Sequence, residues 1–551
     1  MAEFVVGSLR LSMRRLAASL LPIAISLSVL TAGCGGSSSS SSTPSNQGVP
    51  ADIKAIFNKP LYQGATWGLR VMNGDKVLID FTPEKRFQIG SVRKIFSVSD
   101  LLDTVGPTHT YDTPIYRQGE VSGGVLNGDL ILVASGDLTM GGRTNPDGSI
   151  AITDDDHNEA DSLGNAILTT PDPLAGYKSL AQQVAAAGIT QITGEIAIDD
   201  RLFQPYNFRG QFQLRPIFVN DDVVDMTINP TTPGSAASLV WRPLSAGFAV
   251  NNLIETGAAG TTYSVQFNEE PDCFGTPGCT GTVTGTLPID YEVPLTDSFP
   301  LVQTFRIVEP SDYARTILIE ALQAAGVTVN APVVEHNPVG ILPAKNSYSP
   351  GAQVAQLTGM PYSDDAKLIL KVSYNIGADT SMLLFGLQHG VDNMADALNV
   401  EKEYLAHTYG IEPDEYQFPD GSGGGDTIAF TRTVTRLLND MTASPNFGVF
   451  FDSLPALGVD GSLAFVTDFQ SDPTLTGATG QVSAKTGTFL QLVSGKLVVK
   501  GQAFGGYVQA KSGKRLSYML VVNDVPVGGL PDVIQVFQDE GTISAMLWRD
   551  N

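Results

Sequence analysis

Basic residues are scarce in this chain of 551 residues, with 33 Lys and Arg against 57 Asp and Glu and a formal net charge of −24. Phosphate backbones are bound through a basic face, so this deficit argues against nucleic acid binding. Histidine occurs only five times and never in the His-Glu-x-x-His spacing of a zinc hydrolase. A Gly-x-Ser-x-Gly elbow at a strand-to-helix turn is also absent, which counts against an α/β-hydrolase.

The N-terminal 33 residues are typical of a targeting segment rather than of a folded domain. Three arginines precede an apolar run, which ends in Leu-Thr-Ala-Gly directly before Cys34. This stretch resembles the bacterial lipobox, whose cysteine is lipidated. We therefore predict a lipoprotein signal peptide at 1–33, lipidation of Cys34 and a Gly/Ser-rich linker at 34–50.

Export follows from this interpretation, with the folded body in the cell envelope or periplasm and held to a membrane through the lipid. Gly35, which follows Cys34, favours the outer membrane if the source has two membranes. An uncleaved anchor helix is the alternative, although the apolar run is slightly short for a span of about 20 residues.

Only three cysteines occur in the whole chain, and two remain if Cys34 carries lipid. Cys273 and Cys279 close a short loop, which in an oxidising compartment indicates a disulfide. A zinc half-site is the competing interpretation, but no second pair of Cys or His residues lies nearby in the sequence.

The length favours two or three domains. An Asn-Gly turn between two apolar runs predicts a hairpin near residue 73. Helices are predicted at 91–102, 364–387, 393–407, 430–441 and 530–547, and strands at 487–502, 504–510 and 515–522. The middle of the chain is richer in short strands and turns. We therefore predict an α+β domain formed by 51–115 plus 345–551, interrupted by an inserted region at 116–344.

One lysine alone has a serine three residues before it, in Ser91-Val92-Arg93-Lys94. On a helix this spacing places both side chains on one face, one turn apart. A serine hydroxyl becomes a good nucleophile when a neighbouring base takes its proton, and a lysine can be that base if burial or nearby positive charge lowers its pKa. By itself the pattern is weak, because a helix-capping serine and a solvated lysine produce it too.

A second polar element is Ser373-Tyr374-Asn375, which lies inside an otherwise apolar run that is predicted to be helical. Polar residues in such a place are locally unfavourable and are expected at functional sites. Ser444-Pro445-Asn446 has the same spacing, but its proline and polar neighbours indicate a loop. We prefer the first.

The third element has two candidates. Lys485-Thr486-Gly487-Thr488 begins the strand-rich C-terminal region, whereas Lys511-Ser512-Gly513 lies between two strands and is followed by more charge, as in a solvated turn. An edge strand at the first position could pair with an extended peptide, and its ammonium could bind a carboxylate. Three such motifs in this order are far more specific than any one of them.

With these motifs the sequence resembles the class C penicillin-binding proteins, the D-alanyl-D-alanine carboxypeptidase/endopeptidase family. Four further stretches resemble this family, at 134–139, 219–224, 378–379 and 420–423, and the long gap between the first two motifs fits an insertion. The resemblance implies a serine β-lactamase/DD-peptidase-like α+β fold, an antiparallel sheet with helices that a strand-rich insertion interrupts. It also implies no cofactor, peptidoglycan peptides as substrates and β-lactams as covalent inhibitors.

The resemblance implies a role for each motif residue. Ser91 attacks the carbonyl between two D-alanines and Lys94 takes its proton, while Ser373 passes a proton to the leaving amine. Asn375 holds Lys94 and the substrate amide. In the third motif, Lys485 and Thr486 bind the terminal carboxylate, and Gly487 and Thr488 are also substrate-binding residues. The backbone N–H groups of Ser91 and Thr488 form the oxyanion hole.

Two departures from the family stand out. Relatives continue Asp-Gly-Ser-Gly with Leu-Ser-Arg, whereas this chain has Gly424-Gly425-Asp426. The segment 144–173 is longer than in relatives and contains the acidic stretch 154–161, which we interpret as a solvated loop. A calcium site is the alternative there, although the stretch lacks the glycine and the spacing of an EF-hand.

Two other functions remain open from the sequence. A β-lactamase-fold esterase or β-lactam hydrolase would use the same three motifs on another substrate. A non-catalytic envelope lipoprotein would keep the fold and only bind polymers of the cell wall.

Overall fold

The computed structural model describes residues 48–268 and 273–551. The predicted signal peptide at 1–33, the lipidation site Cys34 and nearly all of the linker lie outside the described residues. Among the described residues, no helix has the length and apolar character needed to cross a membrane.

Helices and strands are numbered here in chain order. The helices are α1 (Ala51–Phe57), α2 (Lys94–Val105), α3 (Ala160–Leu163), α4 (Ala175–Ala186), α5 (Pro310–Ala324), α6 (Tyr362–Lys371), α7 (Asn375–Gln388), α8 (Met394–Tyr409), α9 (Thr431–Met441), α10 (Phe447–Ser453) and α11 (Leu530–Asp550). The strands are β1 (Thr66–Asn73), β2 (Lys76–Phe81), β3 (Arg86–Gln88), β4 (Asp112–Ser122), β5 (Val125–Val133), β6 (Gln191–Ile192), β7 (Ile196–Asp199), β8 (Tyr206–Phe208), β9 (Phe212–Leu214), β10 (Val223–Asn229), β11 (Ser238–Arg242), β12 (Ala249–Gly257), β13 (Gln266–Asn268), β14 (Thr280–Pro288), β15 (Leu301–Arg306), β16 (Thr328–Val329), β17 (Gln353–Thr358), β18 (Tyr416–Gln417), β19 (Ile428–Phe430), β20 (Val482–Val493), β21 (Lys496–Gln509), β22 (Arg515–Asn523) and β23 (Val525–Pro526).

The main sheet joins the two ends of the chain in the order β2-β1-β22-β21-β20, and all of its pairings are antiparallel. Its central strands are buried on both faces, as the alternation along β22 demonstrates. Tyr518 and Leu520 belong to the core formed with α1 and α11, while Met519 and Val521 belong to the core formed with α2 and α9. Successive side chains of a strand point to opposite faces, so this pattern places helices on both sides of the sheet. The predicted α+β class is confirmed.

The C-terminal strands are divided differently from the prediction, because the predicted strand 487–502 is split and the predicted strand 504–510 is part of β21. A single strand was predicted from 487 to 502, but the chain turns back at Ser494 and Gly495, which separate β20 from β21. Both residues have positive φ, at 51° and 77°, which suits a tight hairpin turn. The apolar pattern continues through the turn, and the sequence therefore suggested one long strand.

Most of the region between β4 and β17 forms separate sheets, one with six strands like the main sheet and others with two or three. One has the order β16-β6-β5-β4-β17, and two others have the orders β11-β10-β15 and β12-β14-β13. β17 pairs with β4 although it follows the predicted boundary at 344/345, and the domain boundaries stay a prediction. A disulfide joins Cys273 and Cys279 in this region.

Candidate active site

Ser91 lies in a single 3-10 turn, Gly90–Arg93, that leads directly into α2. This turn packs against β20 of the main sheet. Gly90 has φ +49°, and a side chain there would approach the backbone N of Thr488 to 3.0 Å. Glycine therefore allows the turn to lie close to the sheet and fixes where the Ser91 hydroxyl emerges.

Lys94 begins α2 and lies one turn from the serine, with its Nζ 2.7 Å from Ser91 Oγ. The amine also donates to Asn375 Oδ1 and to the carbonyl oxygen of Ser422, both at 2.7 Å. Lys94 is fully buried. Burial, followed by the positive charges of Lys485 and Arg209, holds the pKa of Lys94 well below its usual range, although the carboxylate of Glu159 opposes the shift.

The second motif interrupts a run that was predicted as one helix from 364 to 387. That prediction is wrong, because α6 ends at Lys371 and α7 begins at Asn375. Ser373 occupies the break with φ +64°, a conformation that few non-glycine residues adopt and that occurs often at functional sites. The break directs Asn375 towards Lys94. The Ser373 hydroxyl makes no hydrogen bond to another described residue.

The third motif lies in the first half of β20, next to the Ser91 turn. A side chain on Gly487 would lie 2.0 Å from the Ile89 carbonyl oxygen and 3.0 Å from Ser91 N, so only glycine fits. Lys485 is fully buried, and its Nζ donates to the Thr486 carbonyl at 2.8 Å. Burial lowers the pKa of Lys485 to about 7, and the Glu159 carboxylate opposes this shift.

The hydroxyls of this strand have partners from two other segments. Thr486 Oγ1 lies 2.7 Å from Ser462 Oγ, and Thr488 Oγ1 donates to Gln502 Oε1 at 2.8 Å. Ser462 was missed in the sequence, where nothing distinguishes it from other loop serines. Here it is a second hydroxyl beside the threonine that was predicted to bind a carboxylate.

The competing motifs lie elsewhere. Ser444 and Asn446 both donate to the carboxylate of Asp103, at 3.0 and 2.9 Å. Asp103 lies in the last turn of α2, at the opposite end of this helix from Lys94. Lys511 is exposed in the turn between β21 and β22. The structure therefore brings together Ser91, Lys94 and Asn375 with the strand of Lys485, and leaves the alternatives apart.

The loop at 420–424 forms another wall of the cleft. Asp420 Oδ1 accepts hydrogen bonds from the backbone N–H groups of Gly423 and Gly424, at 2.6 and 3.0 Å, and the Ser422 carbonyl holds Lys94. Asp379, on α7, accepts from Gly421 N at 2.8 Å. Burial raises the pKa of Asp379 to about 8.

An arginine reaches this loop from the inserted region. Arg209, which follows β8, donates from Nη2 to Ser422 Oγ at 2.7 Å. A side chain on Gly424 would approach Arg209 Nε to 2.6 Å. A glycine at position 424 therefore leaves room for an arginine from a different part of the chain. The sequence carried no signal for the contact between Arg209 and this loop, because the two lie far apart in the chain.

The acidic stretch 154–161 was predicted as a solvated loop, and for Asp156 and His157 this prediction is wrong. Both are buried, and Arg143 donates to both oxygens of Asp156 at 2.8 Å. Asp156, His157 and Asp221 are grouped closely enough to hold a cation, but the guanidinium of Arg143 already supplies positive charge there. Although burial opposes it, the carboxylates of Asp225 and Asp156 raise the pKa of His157 to about 10.

Comparison with known proteins identifies the family. The sequence profile of the D-Ala-D-Ala carboxypeptidase 3 (S13) family matches residues 49–533. The chain belongs to this family. The chain is also similar to the D-alanyl-D-alanine carboxypeptidase of Actinomadura sp. (strain R39). The two are 25% identical over 504 residues, which cover 86% of this chain and 80% of the relative. The protein is therefore a hydrolase, a serine-type D-Ala-D-Ala carboxypeptidase. The family predicted from the sequence motifs is confirmed.

Solved structures support the fold of this S13 family carboxypeptidase. Penicillin binding protein 4 from Haemophilus influenzae has a TM-score of 0.65 at 16% identity, covering 89% of this chain and 98% of its own. The same protein complexed with a β-lactam has a TM-score of 0.63 at 17% identity and the same coverage. The likeness extends over nearly the whole described chain.

Proposed function

We propose that the protein cleaves the D-Ala-D-Ala bond of peptidoglycan stem peptides through an acyl-enzyme on Ser91. The observation that carries this proposal is the contact of 2.7 Å between Lys94 Nζ and Ser91 Oγ, in a place where burial lowers the pKa of the lysine. A neutral amine has two N–H donors and one lone pair. Asn375 and Ser422 accept the two donors, which leaves the lone pair for the proton of Ser91.

The first step forms an ester. Ser91 Oγ attacks the carbonyl carbon between the two D-alanines while its proton passes to Lys94. The negative oxygen that develops is stabilised by the backbone N–H groups of Ser91 and Thr488, each donor contributing about 3 kcal/mol. The close approach of Gly90 to Thr488, and of Gly487 to Ser91, supports this pairing of donors.

The second half of the reaction releases both products. The proton held by Lys94 passes through the Ser373 hydroxyl, which gives one proton to the leaving nitrogen and accepts the one from Lys94 as the C–N bond breaks. The terminal D-alanine departs and Lys94 is neutral again. Lys485 and Thr486 bind its carboxylate until then. A water molecule then hydrolyses the ester and regenerates Ser91. A β-lactam presents a carbonyl and a carboxylate in a similar arrangement, and we propose that it acylates the same hydroxyl.

Release of D-alanine from a peptide that ends in D-Ala-D-Ala tests this function, and Lys485→Met tests the carboxylate site. A hydrogen bond to a charged group contributes about 1.5–3 kcal/mol, so KM is expected to rise by about 10- to 100-fold. The matched control is Lys511→Met, in the exposed turn. Failure of the native protein to release D-alanine would refute the proposal, and an unchanged KM in Lys485→Met would remove the carboxylate role.

The lowered pKa of Lys485 also predicts that KM depends on pH. A lysine whose pKa is lowered to about 7 loses its proton as the pH rises through that value, and the ammonium that binds the carboxylate is lost with it. We expect the KM of the native enzyme for the D-Ala-D-Ala peptide to rise as the pH increases above about 7. We expect Lys485→Met to show no such rise.

We also propose that residues 1–33 are a lipoprotein signal peptide and that Cys34 carries the lipid which anchors the enzyme at the cell envelope. The lipobox-like stretch before Cys34 supports this assignment. Cells fed with a labelled fatty acid are expected to label the native protein and not a Cys34→Ala variant, which we expect to leave the membrane fraction. Equal labelling of both proteins would refute the assignment.

A further inference from the structure

A short segment of the inserted region, residues 154–159, lies across the cleft between the second and third motifs; we name it the cleft strap. At one end Asp154 Oδ1 accepts from Gly461 N at 2.7 Å, and the next residue is Ser462, the partner of Thr486. At the other end Glu159 Oε1 lies 3.5 Å from Asn375 Nδ2. The cleft strap therefore touches both flanks of the site.

The cleft strap is held in place by buried ion pairs. Between its two ends, Asp156 is bound by Arg143 through two bonds of 2.8 Å. His157 Nδ1 lies 2.8 Å from Asp225, which is itself fully buried. Buried groups that are paired in this way are costly to move, so the cleft strap keeps a fixed position.

Its remaining side chains make this end of the cleft acidic. Asp154 is exposed, and Asp155 and Glu159 are partly buried. The charge of Glu159 acts on both Lys94 and Lys485, which places its carboxylate near the catalytic lysines. Lys94 is also acted on by the positive charges of Lys485 and Arg209 and by the carboxylate of Asp420. The middle of the cleft strap faces one further cation, Arg143, and two further acids, Asp221 and Asp225.

The position of the cleft strap bears on the leaving group. Under the proposed function, Lys485 and Thr486 bind the carboxylate of the residue that departs. In a linear stem peptide that residue is a single D-alanine. In a cross-link it carries the same carboxylate, but its side chain continues into a second stem peptide with carboxylates of its own. This larger group has to pass the cleft strap beside Thr486.

We propose that the cleft strap restricts the leaving group to one small D-amino acid, so that this enzyme trims linear stem peptides in preference to cutting cross-links. This inference rests on the proposed function. Bulk and like charge act together, because a rigid segment narrows this end of the cleft and its carboxylates repel an anionic second peptide.

The test compares a linear peptide that ends in D-Ala-D-Ala with its cross-linked dimer. We expect the native enzyme to favour the linear peptide in kcat/KM by at least about tenfold. Two variants are compared: the double variant Asp154→Asn with Glu159→Gln removes charge and keeps bulk, and the single variant Glu159→Ala removes both the charge and the bulk of one side chain. Each is expected to raise the ratio of dimer to linear cleavage by about tenfold. The ratio is the readout because Ser91, Lys94 and Lys485 act on both substrates, so their contribution cancels.

The matched control is Asp147→Asn, an exposed acid in the same long segment but outside the cleft strap. We expect its ratio to equal that of the native enzyme. Native enzyme that cuts the dimer as fast as the linear peptide would overturn the inference and leave D-alanine release intact, as would variants whose ratio does not change. A native protein that cleaves neither peptide and forms no adduct with penicillin would overturn the proposed function itself.

Discussion

Replacing Ser91 by alanine is expected to abolish both the covalent adduct with penicillin and the release of D-alanine, with kcat/KM falling by about 10³-fold or more. The ester on Ser91 Oγ is the proposed intermediate of both reactions, so no partial pathway remains. Ser91 is only partly buried, and alanine at this position removes one oxygen without opening a large cavity.

Mass spectrometry of the intact protein measures this result directly, because acylation adds the mass of one penicillin. The matched control is Ser444→Ala, which changes the serine of the competing motif and whose hydroxyl contacts Asp103 instead of a lysine. We expect that variant to label like the native protein. A Ser91→Ala protein that still gains the adduct would place the nucleophile elsewhere.

Lys94→Met is expected to slow acylation by about 10³-fold, because a methionine of similar volume removes the base and leaves the serine in place. Lys94→Arg is expected to be equally slow, since a guanidinium stays protonated and cannot accept the proton of Ser91. Stopped-flow measurement of the acylation rate constant with a chromogenic cephalosporin tests both variants. An active Lys94→Arg enzyme would argue that the residue acts as a cation instead of a base.

The pH profile gives an independent test of the same role. Because the pKa of Lys94 is lowered, its amine is free of a proton at pH values where an ordinary lysine is charged. The acylation rate of the native enzyme is expected to fall as the pH is lowered and the amine takes up its proton. Lys94→Met is expected to have no acidic limb from this group, which distinguishes the titration of Lys94 from a general effect of acid on folding.

Structural features formed by residues that are close together in the sequence were predicted well. Ser91 and Lys94 are one helical turn apart, and the geometry of a helix brings them together without reference to the rest of the chain. The class of the fold and the antiparallel C-terminal strands followed from periodicity, and both are present. The break between α6 and α7 was missed because apolar residues continue on both sides of it, and only the positive φ of Ser373 marks it.

Contacts across long stretches of sequence could not be predicted. Arg209, Glu159 and Ser462 reach the cleft from loops that share no motif with it. Their positions depend on how segments that are distant in the chain pack around the main sheet, and a single sequence gives no measure of that packing. For the same reason Asp156 and His157 were taken for exposed residues, although their partners Arg143 and Asp225 bury them.

The strand order of the main sheet has a consequence for folding during synthesis of the chain. β1 lies between β2, its neighbour in the chain, and β22, which is made almost last. Lys485 also arrives late, on β20. A chain whose synthesis has not yet reached β20 thus contains its nucleophile but lacks the proposed carboxylate site, and one edge of β1 has no partner strand. The complete catalytic site can therefore form only after the C-terminal strands have been made, so a partly made chain is not yet a hydrolase.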